Sequence, residues 1–179
     1  MAALRAQEPP ESADGPDADP ESVARTILLR RLTDQPRSRA ELAESLAKKH
    51  VPDDVADRVL DRFEEVGLID DEDFARSWVQ SRQRSRGIAS KVLAMELRRK
   101  GVDDATSREV LAELDPEVER RNAHRLVQKR LRSMRDLDST TQIRRLTGML
   151  ARKGYAPQVA FDVVRAELES VEAQPLDSA

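Results

Sequence analysis

The chain has no cysteine, and that absence excludes disulfides, cysteine-ligated zinc, iron–sulfur clusters and thiol catalysis together. It fits a reducing compartment. Aromatic residues make up only 3%, and six glycines give no dense series of turn signals, which argues against a β-sandwich or barrel. No apolar run approaches the ~18 residues of a membrane span. The first residues lack the apolar stretch of a secretory signal, so a soluble, cytoplasmic protein is expected. Only two histidines occur, His50 and His124, far apart in the chain. No glycine-rich phosphate loop and no nucleophile elbow is present. An enzyme is therefore not expected, and no catalytic residue, cofactor site or metal-ligand set is assigned.

What is present points to helices. Leu, Ile, Val and Phe make up 23% of the 179 residues, above the roughly 20% below which chains tend to stay disordered. Charged residues reach 36%, against about 25% in an average protein. Residues 1–20 hold four prolines and five acids without apolar periodicity, so residues 1–21 are expected to form a disordered acidic tail. Order is expected from about Glu21, with Ser22 capping the first helix.

Beyond the tail the chain repeats itself. Leu42, Leu46, Lys49, Val51, Val59, Leu60 and Phe63 recur 51 residues later as Leu93, Leu97, Lys100, Val102, Val110, Leu111 and Leu114. A further step of 53 residues gives Leu146, Leu150, Lys153, Tyr155, Val163, Val164 and Glu167. Only Glu167 breaks the match, and Leu168 stands beside it. Each unit carries three segments with apolar residues at intervals of three and four, the helical spacing. These are residues 22–32, 39–49 and 52–66, then 72–85, 89–100 and 103–114, then 117–133, 140–153 and 156–170. Gly101 and Gly154 fall where left-handed C-caps belong. The fold class expected is all-α: three tandem three-helix modules (22–71, 72–116 and 117–172) in an elongated, curved array, followed by a flexible C-terminus from residue 173.

The net charge of −3 conceals segregation. Residues 72–101 carry eight bases and three acids, and residues 120–154 carry eleven bases and two acids. The candidate binding residues are therefore Arg82, Arg84, Arg86, Lys91, Arg98 and Arg99 in the second module. In the third they are Arg125, Lys129, Arg130, Arg132, Arg144, Arg145, Arg152 and Lys153. A solvated helix face explains lone arginines; blocks of +5 and +9 point instead to nucleic acid or an acidic protein surface. Scarce aromatics argue against base stacking as the main source of affinity. The acids at Asp70, Asp71, Glu72 and Asp73 read as helix-start residues, with Asp70 as the cap and Ile69 stapled onto Phe74, rather than as a metal site. Trp78 and Tyr155 read as core.

The second module carries a more specific pattern. Gly67-Leu68-Ile69-Asp70-Asp71, Phe74-Ala75, Trp78, Ser81-Arg82 and Arg86-Gly87 precede Leu93, Glu96-Leu97 and Lys100-Gly101-Val102. This resembles the RecX family, bacterial regulatory partners of the RecA recombinase, over about residues 22–170. The resemblance implies a non-enzymatic modulator that binds the RecA–single-stranded DNA filament in its groove. It also implies lowered ATPase, strand-exchange and co-protease activity of RecA, and affinity for DNA. A monomer is expected. The matching positions Asp70, Asp71, Phe74, Gly87, Leu93, Leu97 and Gly101 read as mainly structural.

Two other readings compete. Residues 38–69 resemble a helix-turn-helix, so a winged-helix transcription factor is one, but a wing needs a β-hairpin where an acidic-capped helix is expected. The segment 52–66 also carries only Arg58 and Arg62 against six acids. A helical-repeat scaffold for an acidic protein is the other.

Overall fold

The computed structural model describes residues 19–173. The expected tail, apart from Asp19, Pro20 and Glu21, lies outside the described residues, as do residues 174–179 of the expected C-terminal tail. Within them the chain is all helical: α1 (Pro20–Asp34), α2 (Arg39–Ala47), α3 (Asp53–Glu65), α4 (Asp71–Arg86), α5 (Ser90–Arg99), α6 (Asp104–Ala112), α7 (Pro116–Leu131), α8 (Ser139–Arg152) and α9 (Pro157–Glu172). They form two compact units, divided after Asp70. The first holds α1–α3 and the second α4–α9.

Local chemistry sets the helix starts. Ser38, fully buried, and Glu41 form a reciprocal capping box on α2. Asp103, Asp115 and Asp138 each accept backbone N–H groups at the starts of α6, α7 and α8. Pro116 and Pro157 occupy the first turns of α7 and α9, where a missing N–H costs nothing. One expectation is corrected here. Ser22 does not cap α1; Asp19 does, accepting from the Ser22 backbone N at 3.2 Å, and Pro20 sits in the first turn. The ordered chain thus includes Asp19, Pro20 and Glu21, three residues assigned to the tail.

The repeat positions form the cores. Leu42, Leu46, Leu93, Leu97, Leu146 and Leu150 are all fully buried. In the first unit they pack with Ala24, Leu28, Val59, Leu60, Phe63 and Ile69. Ile69 belongs to the first unit's core and Phe74 to the second's. Tyr155 is buried, as expected of its repeat position, and Trp78 is partly buried against the second module's core.

In the second unit, the second and third modules share a seam. The turn Lys153-Gly154-Tyr155 lies against residues 87–92. The Ala89 backbone N donates to the Lys153 carbonyl at 2.9 Å, and the Tyr155 hydroxyl donates to the Gly87 carbonyl at 3.1 Å. Ala89 is buried within the third module's core cluster. Gly154 has φ +93°, and a Cβ there would meet the Val92 backbone N at 2.8 Å. Gly87 has φ +56°, and a Cβ would lie 2.9 Å from Leu126 Cδ1. Both glycines are favoured by backbone conformation, and Gly154 is also required by the close approach of the Val92 backbone. Ala89 gives α5 no side-chain cap; Glu119 of α7 instead accepts from the Ser90 backbone N at 3.1 Å and hydroxyl at 2.6 Å.

Candidate nucleic-acid interface

The fourteen candidate cations fall into different environments. Arg82 lies on α4, and its guanidinium makes a two-pronged contact with Glu96 of α5, Nε to Oε2 at 2.7 Å and Nη2 to Oε1. Their side chains are only 19% and 16% exposed. Trp78 Nε1 donates to the same carboxylate at 3.0 Å, and Lys100 Nζ stands 4.5 Å from the centre of the Trp78 ring. The Arg82 hydrogen bond is the main reason the Glu96 carboxyl is held below its ordinary range, with Trp78 adding. The carboxylate in turn raises Arg82. Arg82 is thereby engaged within the second module.

Lys153 is similarly occupied. Its ammonium donates to the Arg86 carbonyl at 2.5 Å across the seam. Burial pushes its pKa down, and the positive charges of Arg86 and Arg82 add to the effect. Arg98 is answered by Asp104 at 3.1 Å, in an exposed pair. Arg125 donates to the Asn122 side chain at 2.9 Å. Around them, Arg76 is held by Glu72 and Glu113, Arg120 by Glu117 and Arg121 by Asp115.

The remaining candidates are exposed and, among the described residues, make no ion pair with a carboxylate. They are Arg84 and Arg86 at the end of α4, Lys91 and Arg99 on α5, Lys129 and Arg130 on α7, Arg132 just after it, and Arg144, Arg145 and Arg152 on α8. Arg125 and Lys129 are four residues apart and share a face of α7, which Arg132, its C-cap in helical conformation, continues. The arrangement offers guanidinium forks to phosphate or carboxylate groups. Among the described residues no group of three His, Asp or Glu is placed to hold a metal ion. His124 Nδ1 lies 2.6 Å from Glu167 Oε1, and Gln128 Nε2 donates to the same oxygen at 3.0 Å.

The sequence did not disclose the Glu96 clamp, because Glu96 stands among basic residues in sequence and reaches Arg82 only once α4 and α5 pack. Glu167 did leave a signal: it is the one position that breaks the repeat. At 9% exposure it is a buried carboxylate, and its partners come from α7.

Three family models match in chain order: the first three-helix domain of RecX at residues 24–63, the second at 70–111 and the third at 117–164. The regulatory protein RecX of Streptomyces coelicolor is 51% identical over 154 residues, covering 86% of this chain and 82% of its own. That of Mycolicibacterium smegmatis is 51% identical over 170 residues, covering 90% of both. The crystal structure of RecX from Lactobacillus salivarius superposes with a TM-score of 0.77 at 20% identity, over 85% of this chain and 99% of that one. A second RecX crystal structure gives 0.75 at 23% identity, over 84% of this chain and 73% of that one.

Proposed function

Since the chain belongs to the RecX family of regulatory proteins, we propose that it is a non-enzymatic regulator that binds the RecA–single-stranded DNA filament and restrains RecA. The observation that carries this reading is the ordered match of all three modules to RecX domains, at about half identity over most of the chain. The exposed arginines and lysines of α4, α5, α7 and α8 supply the phosphate contacts, and the helical modules around them supply a surface for protein. Its partners are RecA and single-stranded DNA within the filament; ATPase, strand exchange and co-protease activity of RecA fall as a consequence. No helix among the described residues is long and apolar enough to cross a membrane.

The winged-helix alternative needs a β-hairpin after α3. Instead α4 opens at Asp71, and no strand occurs among the described residues. RecA ATPase on single-stranded DNA, titrated with this protein at substoichiometric levels, tests the reading. A fall in the steady-state rate is expected. An unaltered rate at stoichiometric protein would reject it.

A further inference from the structure

We infer that the outer face of α8 is a landing surface for a phosphate backbone, with Gly148 as its floor and Arg144, Arg145 and Arg152 as its walls. The inference deepens the reading above and rests on it. Among the nine described helices, α8 is the one without an Asp or Glu. Its nearest preceding acid, Asp138, is engaged by the Thr141 backbone N at 2.9 Å. Arg144, Arg145 and Arg152 are exposed and without a carboxylate partner among the described residues. At 3.6 residues per turn, positions 144, 145, 148 and 152 fall within about 100° of the helix circumference.

Gly148 has no conformational reason to be glycine. It lies inside the helix, is not among the residues with positive φ, and costs about 1 kcal/mol against alanine there. It has no packing reason either. A Cβ would meet one atom within 4 Å, Arg152 Nη1 at an ordinary 3.5 Å. Gly154, by contrast, has positive φ and is closed by the Val92 backbone, and Gly87 has positive φ. What glycine supplies at 148 is a half-buried floor without a side chain, beside the Arg152 guanidinium and among three guanidinium forks, where a ligand's phosphates approach closely.

The same face argues against a protein occupant. Protein interfaces centre on a buried apolar or aromatic anchor. Among the described residues the large exposed hydrophobics are Leu29, Val66, Leu68, Met95, Phe161 and Val171, and none lies on α8.

The test measures affinity for a fluorescent oligo-dT and for polyglutamate, alongside thermal unfolding, in the full chain and in Gly148→Leu and Gly148→Ala. Wild type binds oligo-dT in a salt-dependent manner and polyglutamate far more weakly. Gly148→Leu weakens oligo-dT binding about tenfold, as for one lost charge-assisted contact. Gly148→Ala raises the melting temperature by about 2–4 °C through helix propensity and still weakens binding. A merely structural glycine would not give greater stability with poorer binding. Wild-type-like affinity in both folded variants overturns the landing surface and leaves the nucleic-acid reading standing. Absence of oligo-dT binding in wild type overturns that reading itself. Equal binding of polyglutamate assigns the face to an acidic protein and overturns the phosphate proposal. Should Gly148→Leu fail to fold, Gly148→Ala alone decides.

Discussion

Arg82 and Arg98 of the second module and the three arginines of α8 are alike as sequence and unlike as structure. In residues 72–101, Arg82 is drawn into a clamp with Glu96 and Trp78, and Arg98 faces Asp104. In α8, three arginines stand on a helix with no acid of its own. A positive charge count therefore does not measure a binding surface. What matters is how many cations the fold has already paired and how far they are desolvated, since a fixed, half-buried pair supports packing while an exposed one stays available.

The comparison breaks most visibly at Glu96. Glu96→Ala leaves the Arg82 guanidinium and the Trp78 N–H without their acceptor and is expected to cost about 2 kcal/mol. Urea unfolding followed by Trp78 fluorescence reads this. The matching acid limb has a defined sign. Glu96 has its pKa lowered by folding, so its contribution is present above the unfolded carboxylate pKa and is lost as pH falls through the depressed one. Glu96→Gln should flatten that limb of the stability profile. An unchanged acid limb would remove Glu96 from the account.

The seam between the second and third modules gives the next effect. Tyr155→Phe removes the hydrogen bond to the Gly87 carbonyl and should cost about 1 kcal/mol. Tyr155 is the only tyrosine, so a spectrophotometric titration reads it alone. Burial, with Glu119 next, pushes its pKa up to about 12 from an ordinary 10. The unfolded chain releases this proton first, so stability falls as pH rises from about 10 towards 12. A midpoint near the ordinary value in the folded protein would mean that the seam opens.

The turns sharpen the comparison further. The position of Gly101 and Gly154 is His50 in the first module, with φ +57°. His50→Gly should stabilise the first unit by about 1 kcal/mol, measured as a shift in its unfolding midpoint. Gly154→Ala should do the opposite at the seam, because a Cβ there meets the Val92 backbone N.

Much of the fold was legible because a three-helix repeat writes itself three times. Leu42, Leu93 and Leu146 mark one core position, and Gly101 and Gly154, both at positive φ, mark helix ends. Asp19 departs from the expected tail because the prolines around it signal disorder by composition, while Pro20 is also a good first-turn residue. The candidate site was legible only as charge. Sequence places Arg82 and Arg144 in the same class, and the distinction depends on Glu96 reaching across from α5, a long-range contact that no local pattern encodes. The role of Lys153 was hidden likewise: its partner is a backbone carbonyl at Arg86.

The central claim is that exposed, unpaired arginines on α8, not the paired ones of the second module, meet the phosphates. The salt dependence of affinity for single-stranded DNA tests it most directly. The variants are the α8 triple Arg144→Gln, Arg145→Gln, Arg152→Gln and the double Arg82→Gln, Arg98→Gln, with circular dichroism as the folding control. Each lost contact removes about 0.7 from the slope of log affinity against log salt. The triple variant is therefore expected to lower the slope by about 2 while shifting stability by under about 0.5 kcal/mol, and the double variant to keep the wild-type slope. A wild-type slope in the folded triple variant, with a flattened slope in the double, would contradict the account.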